Sequence, residues 1–256
     1  RMGHDKLRKF AENETFRCMV QPSADELLRR DHPLKGCWAR DFFHNGNPIV
    51  LEIGCGKGEY TIALALRHPD INYIGIDIKG ARLWKGAKYA TENKMPNVGF
   101  LRTRVEFITS LFGPGEVSGI WITFADPQIR RENLRLTSPR FLSRYSSFLK
   151  DGAAINLKTD SRYLHEYTLA LARQNSLRVL SRTADLYSGT PSDFPSIQDP
   201  EALFEVQTFY EQHFLAQGFK ITFLSFSLEG KTEFVSPDWD EDSFINENHQ
   251  AFAIGL

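Results

Sequence analysis

Cysteine, long apolar runs and net charge are all scarce in this chain. Only three of its 256 residues are cysteine (Cys18, Cys37 and Cys55), and none forms a CxxC pair, which argues against a disulfide framework and a zinc site. The seven histidines show no HxxxH or HExxH spacing, so no metal is predicted. No apolar run could span a bilayer and no secretory leader is present, so we expect a cytoplasmic protein. With a net charge of −1, a nucleic-acid partner would need a local basic patch.

Short apolar segments alternate with helix-length segments through most of the chain. Strand–helix alternation at this spacing implies a parallel sheet with helices on both faces, and therefore an α/β fold. Strands are predicted at residues 48–53, 72–77, 98–102, 119–124, 153–159, 178–185 and 220–228. Helices are predicted at residues 58–67, 79–92, 105–111, 138–149, 162–174 and 203–217.

The flanks of this pattern differ from its centre and predict three regions. Residues 1–44 form an N-terminal arm and helical extension, of which the polar and basic residues 1–20 are expected to be mobile. Residues 45–228 form the α/β domain. Residues 229–256 are acidic and form an appendage or a partly disordered tail.

A glycine loop follows the first predicted strand. Gly54, Gly56 and Gly58 stand at alternate positions, where the backbone can pass close to a ligand, and a helix N-terminus follows. Asp77 ends the next strand, where its carboxylate can accept hydrogen bonds from ribose hydroxyls. Glu52 lies just before the loop and suits a cationic amino group. The GxGxG spacing differs from the GxGxxG of pyrophosphate binders, so the pattern favours S-adenosyl-L-methionine over a dinucleotide.

Two acids follow later predicted strands. Asp126 comes after the fourth and Asp160 after the fifth, and such positions lie in the ligand crevice of a parallel sheet. Together they could accept hydrogen bonds from the N1–H and exocyclic amine of a guanine, although Asp126 before Pro127 is also typical of a helix cap or turn. The arginines between the two acids are either a solvated helix face or a phosphate-contact strip. They are Arg130, Arg131, Arg135, Arg140 and Arg144.

In order along the chain, these motifs resemble the bacterial tRNA (guanine-N7-)-methyltransferase family over about residues 45–228. Each motif alone is weak, but the ordered set is specific. The matching segments are Glu52-Ile53-Gly54-Cys55-Gly56-Lys57-Gly58-Glu59, Ile74-Gly75-Ile76-Asp77-Ile78, Phe124-Ala125-Asp126-Pro127, Arg135-Leu136-Thr137, Thr159-Asp160 and Thr208-Phe209-Tyr210-Glu211.

The resemblance implies a Rossmann-like class I methyltransferase fold, a mostly parallel seven-stranded sheet with an antiparallel edge strand. It implies methyl transfer from S-adenosyl-L-methionine to N7 of a guanine in tRNA, at position 46 of the variable loop. The partner would be tRNA, and the protein a monomer or homodimer. In the roles that it implies, Glu52, Gly54, Gly56, Gly58 and Asp77 bind the methyl donor, Asp126 is catalytic, and Arg130, Asp160, Thr208, Tyr210 and Glu211 bind the substrate.

The chain departs from the family pattern at three positions. Ala125 and Gln128 replace the Pro and Trp of the family's Phe-Pro-Asp-Pro-Trp motif. Arg104 stands where many members have an Asp or Asn that contacts the adenine. Backbone groups near Arg104, or Glu106, would then have to hold the adenine.

Three other functions remain open at this point. A methyltransferase of this fold could act on a small molecule or a protein. A non-catalytic RNA-binding subunit could keep the fold without turnover, although the presence of Asp126, Asp160 and Glu211 argues against it. A nicotinamide-dependent dehydrogenase is disfavoured by the glycine spacing.

Overall fold

The structure, a computed structural model, describes residues 2–247. The chain divides into two compact units. Unit 1 contains residues up to 120 together with 147–150, and unit 2 contains 121–146 and the residues from 151 onward. Each unit is described by itself below.

Unit 1 is built on parallel strands whose side chains are buried almost continuously, except for the half-buried residues of the two-residue first strand. They are β1 (Met19–Val20), β2 (Ile49–Ile53), β3 (Asn72–Asp77) and β4 (Val98–Arg102), followed by the first residues of β5 (Val117–Thr123). Ile49 lies opposite Asn72, and Tyr73 lies opposite Val98, in parallel register. Near-continuous burial is typical of parallel strands with both faces covered, which the Val, Ile and Leu content of these segments allows.

The helices of unit 1 are α1 (Met2–Asn13), α2 (Ala24–Arg29), α3 (Glu59–Arg67) and α4 (Gly80–Glu92), with a π-helical turn at Trp38–Phe43 and a 3-10 helix at Val105–Ser110. Helix α1 packs against α4. The buried Asn13 amide donates to the Gly80 carbonyl at 2.9 Å, and the Trp84 indole donates to Glu12 at 2.9 Å. Residues 2–13 therefore form a helix with hydrogen bonds to α4, in the segment for which a mobile arm was predicted.

Unit 2 contains the end of β5, most of β6 (Leu149–Thr159), β7 (Arg178–Thr183) and β8 (Thr222–Ser227). Strand β8 pairs antiparallel with both β6 and β7, and a bulge interrupts the β7 pairing between Val179 and Ser181. Its helices are α5 (Pro139–Ser146), α6 (Arg162–Gln174), α7 (Pro200–Glu205), α8 (Phe209–Ala216) and α9 (Glu241–Phe244), with 3-10 turns at Glu132–Leu134, Leu186–Ser188 and Pro191–Asp193.

The described part of the acidic tail packs on α6. The Asn175 side chain donates to the Val235 carbonyl and accepts from its N–H, both at 2.9 Å. The Trp239 ring lies edge-on to Tyr163 and Tyr167, with centroids 5.0 and 5.6 Å away. Through residue 247 the tail thus contacts α6, and residues 248–256 lie outside the described residues.

The strands follow the order β1-β4-β3-β2-β5-β6-β8-β7 in an eight-stranded sheet. The predicted α/β class and mostly parallel sheet are confirmed, with the antiparallel pairings near the β7 edge. The additional strand is β1, which has only two residues and therefore carries no periodicity to detect. The helix predicted at 203–217 is two helices, because Thr208 caps a new one. Between residues 2 and 247 no helix combines the length and apolar character that crossing a bilayer requires.

Candidate functional site

The glycine loop of unit 1 is tied to the neighbouring strand. The N–H groups of Gly54 and Cys55 both donate to the Ile76 carbonyl, at 2.8 and 3.0 Å. Gly54, Gly56 and Gly58 have φ angles of 75°, 56° and 75°, in the left-handed region that favours glycine. The tight turn therefore requires these glycines, whatever else they do.

The three glycines differ in what surrounds them. A Cβ on Gly58 would lie 2.6 Å from the Phe100 ring, and so would a Cβ on Gly86 of α4. A Cβ on Gly56 would meet nothing within 4 Å. Gly58 therefore lets α3 pack against Phe100, whereas Gly56 faces open space where a ligand can approach the backbone.

Two acids flank this loop, of which Glu52 bonds to helix α3 and Asp77 to the loop backbone. Glu52 is buried, and its Oε1 accepts from the Thr61 N–H at 3.1 Å and the Thr61 hydroxyl at 2.7 Å. Asp77 is half-buried, and its oxygens accept from the N–H groups of Gly56 at 3.0 Å and Lys79 at 2.8 Å. Because each carboxylate oxygen can accept a second hydrogen bond, Asp77 keeps capacity for a ligand hydroxyl.

The carboxylates of Glu52 and Asp77 act on the thiol of Cys55 in this loop. Burial, together with the carboxylates of Glu52 and Asp77, raises the pKa of the Cys55 thiol well above its usual value. Cys55 therefore stays a neutral thiol and is not a nucleophile. The same two carboxylates favour a cationic ligand over an anionic one at this loop.

Arg104 and Glu106 follow β4 and pair with each other. Arg104 Nε lies 3.1 Å from Glu106 Oε2, and the Arg104 side chain is largely exposed. The structure thus brings together the two residues that were predicted to lie at the adenine end of the cofactor. Neither role is tested by this pairing.

In unit 2, Asp126 lies in a sharply turned loop after β5. Its Oδ1 accepts from the Gln128 N–H at 2.9 Å, and the side chain is half-buried. Phe124, Gln128 and Arg130 all have positive φ angles, between 50° and 57°. Non-glycine residues in this region are strained, so tertiary contacts must hold the loop.

Arg135 supplies those contacts. It is buried, and its Nε donates to the carbonyls of Pro127 at 3.0 Å and Gln128 at 3.2 Å. Its guanidinium lies 4.9 Å from the Tyr163 ring centroid and 4.5 Å from that of Tyr167. The prediction of Arg135 as part of a phosphate-contact strip is therefore wrong, because its guanidinium is buried and bonds to the carbonyls of the Asp126 loop.

The remaining arginines of the predicted strip are more accessible. Arg130 is exposed and lies 4.0 Å from the exposed Asp242 of α9, a contact of little energetic weight. Arg131 and Arg140 are exposed, and Arg144 is half-buried beside Phe141. Arg130 thus remains open to a polyanion.

Asp160 follows β6 and is buried, with no counter-ion beside it between residues 2 and 247. Its Oδ2 makes no hydrogen bond within the described part of the chain. Burial raises the pKa of Asp160 from 3.8 to about 7. A carboxyl held in this way can accept a hydrogen bond when ionised and donate one when neutral.

Glu211 is the second buried acid of unit 2. Lys158 Nζ lies 2.9 Å from Glu211 Oε1, and both side chains are fully buried. The Tyr187 hydroxyl also donates to Oε1, while Oε2 has no partner among residues 2–247. Lys158 and Tyr187 were not predicted from the sequence. Lys158 could have been found there, because it lies within the apolar run of β6 and buried lysines are almost always paired.

Thr208 and Tyr210 lie at the start of α8. Thr208 is buried, and its Oγ1 accepts from the Glu211 N–H at 3.3 Å as the N-cap of the helix. Tyr210 is half-buried, with its ring 6.1 Å from that of Phe209. The predicted substrate residues Thr208 and Glu211 are therefore brought together, and their contact with substrate remains a prediction.

Comparison with known proteins identifies the family. A family model described as "Putative methyltransferase" matches residues 46–224. A tRNA (guanine-N(7)-)-methyltransferase of Christiangramia forsetii is 48% identical over 227 residues, covering 88% of this chain and 98% of that protein. The protein of the same name from Porphyromonas gingivalis is 48% identical and covers 88% of this chain and 91% of its own length. The chain belongs to the tRNA (guanine-N(7)-)-methyltransferase family. The resemblance drawn from its motifs is confirmed.

Solved structures support the fold of this methyltransferase. The 16S rRNA methyltransferase KamB matches with a TM-score of 0.53 at 16% identity, over 75% of this chain and 89% of that one. An antibiotic-related methyltransferase matches with a TM-score of 0.53 at 20% identity, over 83% of this chain and 96% of that one. At this identity the matches show the fold alone, and they confirm the Rossmann-like methyltransferase class. Within the described part of this family member, no three His, Cys, Asp or Glu side chains cluster as a metal site would require.

Proposed function

We propose that this methyltransferase transfers a methyl group from S-adenosyl-L-methionine to N7 of a guanine in tRNA. Position 46 of the variable loop is the target that the family resemblance implies. One observation carries the acceptor assignment. Unit 2 holds two buried carboxyl groups, on Asp160 and Glu211, each with an oxygen that has no protein partner in the described chain. Guanine carries adjacent N–H donors at N1 and the exocyclic amine, which two such oxygens can accept.

The residues proposed to bind the methyl donor have the chemistry that S-adenosyl-L-methionine requires. Gly56 leaves the backbone open to a ligand, and Asp77 can accept from ribose hydroxyls. The carboxylates of Glu52 and Asp77, which flank the loop, suit a cationic amino acid and sulfonium. When bound, S-adenosyl-L-methionine supplies a methyl group on an activated sulfonium. Glu52, Gly54, Gly56, Gly58 and Asp77 would hold it, with Arg104 or Glu106 near the adenine.

The acceptor needs positioning more than it needs proton transfer. N7 of guanine has a lone pair, so no proton has to leave before methylation. The residues of unit 2 would therefore act by orienting the base, which can contribute several kcal/mol to a reaction barrier. Asp160 and Glu211 would hold the guanine, with Thr208 and Tyr210 beside Glu211. Arg130 would contact phosphate.

Asp126 would be the catalytic residue. Its Oδ1 is committed to the Gln128 N–H, and Arg135 fixes the carbonyls of the same loop. The carboxylate is thus pre-oriented, and a fixed negative charge offsets the cation that forms on the methylated base. In this role Asp126 positions and stabilises, and it is not a strong general base.

The proposal includes a cellular setting. The partner is tRNA, so the reaction takes place in the cytoplasm, with the protein acting as a monomer or homodimer. No metal takes part in this mechanism.

The test is methyl transfer into a defined tRNA. The protein is incubated with labelled S-adenosyl-L-methionine and an unmodified bacterial tRNA transcript. The matched control is the same transcript with adenosine in place of guanosine 46. We expect label in the first transcript and none in the second. Equal label in both would contradict the target position, and no label in either would contradict the proposed function.

A further inference from the structure

Lys158 is an ammonium group enclosed by protein. It lies in β6 with no exposed side-chain surface. Its Nζ donates to the carbonyls of Leu203 at 2.8 Å and Val206 at 3.0 Å, and it lies 2.9 Å from Glu211 Oε1. An ammonium has three protons, and three acceptors are therefore in place for them.

Glu211 is held at one oxygen and left available at the other. Oε1 accepts from Lys158 and from the Tyr187 hydroxyl. Oε2 is buried and has no hydrogen-bond partner among the described residues. The backbone of Glu211 is fixed as well, since its N–H bonds to Thr208 Oγ1. A buried acceptor without a partner is costly, so its presence in a fixed side chain points to a ligand that donates.

The charge on Glu211 depends on Lys158. Burial raises the pKa of Glu211, and the Lys158 ammonium and the Tyr187 hydroxyl oppose that rise. Lys158 and Tyr187 are the titratable groups that face Glu211 in the described chain. Asp160, two residues beyond Lys158 in the same chain segment, has no cation beside it in the part of the chain that the structure describes, and burial raises its pKa to about 7. Without Lys158, Glu211 would be expected to hold its proton at neutral pH.

We infer that Lys158 is a positioning residue for the acceptor base: it keeps Glu211 ionised and occupies Oε1, so that Oε2 accepts an N–H of the guanine. This inference rests on the proposed function. Lys158 does not touch the substrate and acts through Glu211. The two buried acids of unit 2 thereby differ in environment, because Glu211 has an ammonium at 2.9 Å and Asp160 has no cation beside it among the described residues.

The test compares pH profiles of kcat/KM for tRNA. The variants are Lys158→Met and the double variant Lys158→Met/Glu211→Gln, with Lys150→Met as the matched control, since Lys150 is an exposed lysine on the same strand. Each profile is divided by the wild-type profile, which removes the titration of Asp160. At pH 7 we expect Lys158→Met to lower kcat/KM for tRNA by about 10- to 100-fold, the range of a lost hydrogen bond to a charged group. The KM for S-adenosyl-L-methionine should stay unchanged.

The decisive readout is how the kcat/KM of Lys158→Met, divided by that of wild type, changes with pH. The inference predicts that it recovers as pH rises, because Glu211 then loses its proton, and that the double variant shows no such recovery. A pH-independent loss in Lys158→Met would mean a purely structural lysine and overturn the inference, as would an unchanged profile. If wild type is inactive on tRNA, the proposed function itself fails, which is a distinguishable result that overturns both.

A second variant serves if Lys158→Met does not fold. Tyr187→Phe removes the other donor to Glu211 Oε1 and leaves the Lys158 charge in place. The inference therefore predicts that Glu211 stays ionised in this variant and that its pH profile runs parallel to that of wild type. A recovery with rising pH would assign the charge of Glu211 to the Tyr187 hydroxyl and overturn the inference. Infrared spectra provide an activity-independent check, because a protonated carboxyl band in the Tyr187→Phe protein that the Tyr187→Phe/Glu211→Gln protein lacks would contradict an ionised Glu211.

Discussion

Lys158 of β6 and Glu211 of α8 form an ion pair at 2.9 Å in which neither side chain is exposed. The pair joins the segment before Asp160 to the helix that Thr208 caps. Glu211, which the family resemblance assigns to substrate, therefore pairs with a lysine to which the resemblance assigns no role.

Breaking this pair from one side should be costly. Glu211→Gln leaves a buried ammonium without a counter-ion, so we expect the free energy of unfolding to fall by about 3–5 kcal/mol. The Lys158→Met/Glu211→Gln double variant should lose less than the sum of the two single variants, because no uncompensated charge remains. Urea denaturation of all four proteins measures this coupling. Additive losses would contradict the pair as described.

Asp160 should make stability depend on pH in a defined direction. Its pKa is raised to about 7, so the folded protein keeps a proton that the unfolded chain loses near pH 4. The folded state binds more protons in this window, and the free energy of unfolding therefore falls as pH rises from near 4 through about 7. The size of that fall is about 4 kcal/mol.

The variant Asp160→Asn removes the titrating group. Its free energy of unfolding should decline less than that of wild type over this pH range, as measured by urea denaturation at each pH. Asp151→Asn, which changes an exposed acid on the preceding strand β6, serves as the control and should follow wild type. Parallel curves for Asp160→Asn and wild type would show that Asp160 does not titrate as described.

Substitutions of two loop glycines should have separate effects, one on the free energy of unfolding and the other on cofactor binding. Gly58→Ala places a methyl group 2.6 Å from the Phe100 ring, so it should lower the free energy of unfolding by about 1–3 kcal/mol, and Phe100→Leu should partly restore it. Gly56→Ala meets no protein atom and costs only about 1 kcal/mol for its positive φ. It should instead weaken S-adenosyl-L-methionine binding, measured by calorimetric titration. Equal effects of both variants on binding and stability would contradict this division.

Asp126 should matter for turnover and not for donor binding. Asp126→Ala should keep the Kd for S-adenosyl-L-methionine and lower kcat by at least about 100-fold, as expected for a lost electrostatic contact at the reacting centre. Asp126→Asn keeps an oxygen for the Gln128 N–H and tests the charge alone. Single-turnover assays and calorimetry measure the two quantities. Near-normal turnover of Asp126→Ala would remove Asp126 from the catalytic role.

Much of the fold could be predicted from the sequence. The strands from β2 to β4 are runs of Val, Ile and Leu bounded by turns, and Gly54, Gly56 and Asp77 mark the loop at their ends. Sequence could not separate Gly56 from Gly58, because the difference is the ring of Phe100, which is distant in the chain. Nor could it detect β1, since two residues pair only once β4 is in place.

Charged side chains were the harder part of the site. Arg135 and Lys158 are fully buried, whereas arginine and lysine side chains are mostly exposed in proteins and are predicted to be exposed from sequence. Arg135 is stabilised between Tyr163 and Tyr167 and by two loop carbonyls, and Lys158 by Glu211 and two carbonyls from a later segment. All of these partners except the loop carbonyls lie more than 20 residues away in sequence. Their roles follow from the tertiary fold and not from local pattern.

The most direct test of the central claim is the identity and position of the methylated nucleoside. After reaction with S-adenosyl-L-methionine, the tRNA is treated with borohydride and aniline, which cleave the chain at N7-methylguanosine, and the fragments are sequenced. The account predicts a single cleavage, at guanosine 46, that is absent from tRNA incubated with Asp126→Ala. Methyl incorporation without cleavage would place the methyl group on another atom and contradict the account.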